Sequence, residues 1–377
     1  MKAANSPTPE WHQQTRSGQV IRSLMLLVVL CVLLSVLVLP ASADSERAWL
    51  TEEQERDLAA LVVGPIKNDD NCASCHALET EAWENTRHFA TFKDRHRSPE
   101  AKEILANMGQ RSMKRALECR QCHYTSELKG NKLRASFGVS CESCHGAASD
   151  WLVLHSKKGG DLSSDDLKWG TGKDQSAAMR TKRLQSAEAK GMINSEMIYD
   201  IARNCFGCHT VPNEAIVNEG GHKAGSDFDL VAWSQGENLH NFSSSAGAPD
   251  SPTNRPSTLE QRRRLYITGL MVDLETSLRN ISRVQEQGGT YHIAMVERSN
   301  QARAKLDAVL DMVVISELSA ALVMLPSSVD ESTSISADLP GKLGQATQAF
   351  LAAHDGSSLV AVDGLMPSEY KGTAYQN

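Results

Sequence analysis

From Ile267 to Ile281 apolar residues return every three or four positions: Ile267, Leu270, Met271, Leu274, Leu278 and Ile281. That period predicts a helix with one buried stripe. Ser257 and Glu260, just after Pro256, have the spacing of a capping box and place the helix start there. Gly288-Gly289 ends the pattern. A second helical run starts near Thr290, with Leu306, Val309, Leu310 and Val313 as its stripe. It continues, with room for a kink, to Leu325 before Pro326. A third run near 341–354 ends at Gly356. Residues 257–356 therefore read as a helical hairpin plus one helix, with a tail at 357–377.

Upstream the texture differs. Residues 78–95 read as a helix carrying Trp83, His88 and Phe92. Residues 156–196 are mostly polar and read as surface loop with a helical piece near 175–190. The Ser-, Pro- and Gly-rich stretch 243–256 reads as a linker. The longest apolar run is Leu24 to Leu39, preceded by Arg16 and Arg22 and closed by Pro40-Ala41-Ser42-Ala43. Positive flank, apolar stretch and small-residue site together predict a secretory signal over 1–43, cleaved before Asp44. The alternative is an uncleaved anchor, and only that version brings membrane contact. The run falls short of the ~20 residues of a spanning helix. Cys31 follows Leu30, which does not suit a lipoprotein site.

Charge narrows the partners. Removing 1–43 takes Lys2, Arg16, Arg22 and Glu10 from 39 basic and 46 acidic side chains, which leaves 36 and 45, a net of −9. An acidic exported chain is a poor binder of nucleic acid. It suits partner proteins with basic docking patches.

The cysteines change the picture most. Outside the leader they fall in pairs, Cys72/Cys75, Cys119/Cys122, Cys141/Cys144 and Cys205/Cys208, each followed at once by a histidine: His76, His123, His145 and His209. Cys-x-x-Cys-His is the attachment motif of c-type haem. Two thiols must reach two vinyl groups on one porphyrin edge, and the next side chain must turn under the iron. Zinc sites or disulfides would also use such cysteine pairs, but neither needs a histidine after each one. Histidine is 12 of 377 residues, so four such placements by chance are on the order of one in a million. The expected cofactors are four covalently attached haems with their iron. The fold class expected is mainly α: a multihaem cytochrome domain at 44–242 with little regular sheet, followed by the helical C-terminal region.

The second axial position on each iron decides the use of the site. Seven histidines are uncommitted: His88, His96, His155, His222, His240, His292 and His354. A helical path would set His88 ~18 Å from His76, and His155 ~15 Å from His145 if Ser149 caps a helix there. Axial nitrogens on one iron are only ~4 Å apart. Each of these two, if a ligand, therefore serves another haem. His96 in "KDRHRS" reads as solvated. His292 lies in a helix without haem signals, and His354 sits at a helix C-terminus.

"NCASCHALETEAWENTRH" with Trp83-x4-His88, and "GVSCESCHG" followed ten residues later by His155, resemble the tetrahaem cytochrome c-554 family of electron carriers. The order and rough spacing of all four motifs also match, over about 70–210. The resemblance implies His155 as distal ligand of the His76 haem and His88 as that of the His145 haem. It also implies closely stacked haems and an open iron at His123. It fails at the fourth haem, where the family's histidine five residues before the motif is replaced by Asp200. Met192 and Met197 are nearby alternatives, but His222 or His240 is expected to fold back over a haem, and a spare one of these would close the iron of His123. Two functions follow. One is a periplasmic electron carrier with mostly bis-histidine haems. The other is a redox enzyme acting on a small nitrogen or sulfur species at an open haem near His123.

Overall fold

The structure is a computed structural model, and it describes residues 72–73, 76–129, 132–156, 177–240 and 254–376. The leader, the linker up to residue 253, most of the 156–176 loop and Cys75 lie outside the described residues.

The fold is mainly helical, with one small hairpin. Residues 78–95 form two helices, α1 (Ala77–Glu84) and α2 (Arg87–Asp94), in place of the single expected one. The break has a local cause. The Thr86 side chain accepts the Phe89 N–H and so caps a new helix start. α3 (Pro99–Asn107) follows, with proline in its first turn and the Ser98 side chain as cap. α4 (Leu117–His123) leads into β1 (Thr125–Lys129) and β2 (Lys132–Phe137), an antiparallel hairpin. Then come α5 (Cys141–His145), α6 (Leu152–Ser156), α7 (Ala177–Glu188), α8 (Ile198–His209), α9 (Glu214–Asn218) and α10 (Leu230–Ser234).

The C-terminal region is α11 (Leu259–Ile281), α12 (Thr290–Met312), α13 (Ser316–Val323), α14 (Leu339–Ala353) and a 3-10 stretch at Ser357–Leu365. The cap of α11 sits one residue later than expected: Thr258 and Gln261 form the box, not Ser257 and Glu260. Ser257 instead donates its N–H to the Gln235 side chain at 2.7 Å. The run from Thr290 does not reach Leu325 as one helix. It stops at Val313, whose backbone is extended, and the β-branched Val313-Val314-Ile315 separates α12 from α13.

α11 is the helix that joins the two halves. It packs along α12 and α14, and on its other side against α8 and α10. Ile267, Met271, Val272, Leu274 and Leu278 are all buried, so it is apolar around most of its circumference, as a central helix must be. The buried polar group Glu275 accepts hydrogen bonds from the Tyr199 hydroxyl of α8 at 2.9 Å and from Arg279 at 2.6 Å. The C-terminal helices thus pack directly on the helix that carries the fourth cysteine motif. Among the described residues no helix is long and apolar enough to cross a membrane.

Candidate functional site

Three of the four cysteine motifs stand on helices: α4, α5 and the C-terminal end of α8. Cysteines three apart share one helix face, which points both thiols the same way. Cys119, Cys122, Cys144, Cys205 and Cys208 form no disulfide among the described residues. The motifs crowd together. Asn204 donates to the Cys144 carbonyl at 2.8 Å, and Cys208 Sγ lies 3.8 Å from the Gln121 carbonyl oxygen.

The third motif is set by the hairpin. The Thr125 hydroxyl of β1 bonds Ser140 at 2.9 Å, and Ser140 opens α5 with a capping box closed by Ser143. Gly146, at φ +81°, ends α5 and lets the chain turn sharply. His145 and His155 are therefore not on one helix, and the expected ~15 Å helical spacing does not hold. Just before α5, the Val139 carbonyl accepts the Trp83 indole N–H at 2.9 Å, and the Val139 N–H donates to the His88 carbonyl at 3.2 Å.

Eight histidine rings come together in four twos. His76 and His155 have ring centroids 6.0 Å apart. His123 and His222 are at 6.4 Å, His145 and His240 at 6.2 Å, and His209 and His88 at 6.2 Å. The separation tests the cofactor directly. Axial nitrogens across one iron are ~4 Å apart and each ring centroid lies ~1.1 Å behind its nitrogen, so a pair spanning an iron should show ~6.2 Å. All four pairs meet that value. A zinc site needs three or four converging donors, and among the described residues no group of three or more His, Cys, Asp and Glu converges.

Two sequence expectations change here. The resemblance implied His88 for the iron of His145. The structure sets His88 against His209 and His240 against His145. It also implied an open iron at His123, yet His222 stands opposite that ring. Met192 is buried in an apolar cluster with Ala148, Trp151 and Ala187. Of the three histidines left out, His292 accepts the Gly288 N–H and His354 pairs with Glu317.

The rings are held in register by their other nitrogens. His145 Nδ1 lies 2.8 Å from the Ile193 carbonyl, His222 Nδ1 2.8 Å from that of Lys223 and His240 Nδ1 2.6 Å from that of Asn238. His209 Nδ1 instead meets the Ser226 hydroxyl at 2.9 Å. Such partners fix ring orientation and leave the other nitrogen for a metal. Arg183 holds the backbone of His155 by donating to its carbonyl at 2.5 Å. Glu237 accepts the Arg87 N–H beside His88 at 2.5 Å. Burial pushes His123, His145, His155 and His209 down to about 4, which keeps them neutral, the form that ligates. Sequence reasoning missed Ser226, Arg183 and Glu237, which carry no motif.

Residues 71–146 match the model of a family described as cytochrome c554 and c-prime. This stretch, about a fifth of the chain, is similar to the cytochrome c554 family. It is thus a c-type cytochrome segment, with covalently attached haem and a role in electron transfer. The matched stretch holds the motifs ending in His76, His123 and His145, together with His88. The fourth motif and the C-terminal helices lie beyond it. No curated protein and no solved structure matches the chain. The histidine pairs are also neighbours of one another. His145 interacts electrostatically with His76 as well as His240, His88 with His240, and His123 with both His88 and His209. The pairs thus form a row: 76/155, 145/240, 209/88, 123/222.

Proposed function

We propose that the chain is an exported, periplasmic electron carrier that holds four c-type haems, each with two histidine ligands. The observation that carries this reading is the set of four histidine pairs at 6.0–6.4 Å. Rings left to pack on their own would close to contact, whereas these keep the width of an iron and its two bonds. With both axial positions filled by protein, a haem has no place for substrate and exchanges electrons only. The row of neighbouring pairs supports passage from one end of the array to the other, with redox proteins as partners at either end. In the reading as an enzyme, the iron of His123 is the reacting centre, and His222 would have to leave it.

The test is the intact mass of the denatured, purified protein together with its oxidised spin state. A chain cleaved before Asp44 and carrying four haems, all low-spin, supports the proposal. Fewer haems, or a high-spin iron, sinks it.

A further inference from the structure

We infer that Asp273 and Arg298, both in the C-terminal helices outside the family match, set the reduction potential of the haem on His209. The inference rests on the reading of His209 as a haem ligand. Its basis is a chain of contacts. His209 Nδ1 lies 2.9 Å from the Ser226 hydroxyl, and the Ser226 N–H donates to the His209 carbonyl at 2.9 Å. The Ser226 carbonyl accepts Arg298 Nη1 at 2.7 Å. Arg298 of α12 donates its Nε–H to Asp273 of α11. Its guanidinium carbon also stands 5.7 Å from the centroid of the Phe206 ring, inside the fourth motif. Gly225, at φ +82°, leaves room for this approach: a Cβ there would sit 3.1 Å from Arg298 Nη1.

This arrangement differs from that at His145, His222 and His240. His145, His222 and His240 use backbone carbonyls of nearby residues, whose charge no side-chain substitution alters. His209 alone of these four is tied, through Ser226, to an ion pair. Both members of that pair are largely shielded, with Arg298 14% and Asp273 15% exposed, so their charges are weakly screened. Arg298 is the member nearer the ring, since it reaches the Ser226 carbonyl while Asp273 lies behind it. Ferric haem carries one more positive charge than ferrous haem. A cation beside it favours the ferrous form and raises the potential, while an unpartnered carboxylate lowers it. Arg298 and Asp273 are positioning and tuning residues here, since neither touches the ligand ring itself.

Opposite signs make the test. Redox titration of the holoprotein, followed optically, should resolve the couples of the wild type and of four variants. Asp273→Asn leaves Arg298 unneutralised and should shift one couple upward. Arg298→Gln, measured well above the carboxylate range, should shift the same couple downward. Asp273→Asn combined with Arg298→Gln should return it most of the way, and Arg298→Lys should stay near wild type. The shifted couple should be the one perturbed by His88→Met. A merely structural role would move both single variants the same way, and that result, or no shift in Asp273→Asn, overturns the inference. If Arg298→Gln fails to fold, Asp273→Asn and Arg298→Lys still decide it. Denatured mass, read on each sample, separates the two levels: a chain short of four haems overturns the reading of His209 itself.

Discussion

His123 and His222 stand with ring centroids 6.4 Å apart, one at the end of α4 and the other in the loop after α9. This pair decides whether the array has an open iron. His222→Ala should vacate one axial position. The expected outcome is one high-spin haem that binds carbon monoxide when reduced, in a protein that otherwise ignores it. If His222→Ala leaves the carbon monoxide spectrum flat, His222 is not the ligand.

The exchange of partners at His88 and His240 has a spectroscopic signature. The His145 and His240 rings are nearly perpendicular, at 89°, while His76 and His155 are within 17° of parallel. Perpendicular ligand planes leave the two π-type d orbitals of low-spin ferric iron nearly degenerate, so its electron paramagnetic signal is the most anisotropic. His240→Ala should remove that signal. If His88→Ala removes it instead, His88 serves the iron of His145 after all.

Gly138 lies where the hairpin meets α2. A Cβ there would approach Thr91 Oγ1 to 2.5 Å and the His88 carbonyl to 2.7 Å. Backbone cannot yield as a flexible side chain does, so Gly138→Ala should cost about 1–3 kcal/mol in chemical denaturation and disturb the His88 haem.

Glu275 links stability to pH. Burial raises its carboxyl above 4.5, against the pull of Arg279, Arg203 and the Tyr199 hydroxyl. The folded chain then holds that proton more tightly than the unfolded one. The resulting stability is complete below the unfolded value and is lost as pH rises through the folded one. Thermal midpoints across the acid to neutral range should show wild type losing ground to Glu275→Gln as pH rises. A difference that grows in favour of wild type would refute this.

The cofactor chemistry was legible because it is local: each attachment motif is five consecutive residues. The helices of the C-terminal region were legible for the same reason, since a 3.6-residue period reports only a helix's own buried face. What failed was long-range or degenerate. Ser257/Glu260 and Thr258/Gln261 have equal claims as a capping box, and Gln235 settles the choice by binding the Ser257 N–H. The β1–β2 hairpin has no strong alternation to announce it. The pairing of His88 depends on residues 237–240, which place Glu237 against Arg87 and His240 against His145. The resemblance carried His88 to His145 because it ended near 210, before the segment that supplies His240.

The central claim is that four irons each sit between two histidines. Quantitative electron paramagnetic resonance of the fully oxidised protein tests it most directly, with integrated spins referred to protein concentration. The account predicts four low-spin ferric irons per chain and no high-spin signal. A high-spin iron, or fewer than four spins in a protein whose denatured mass shows four haems, would contradict it.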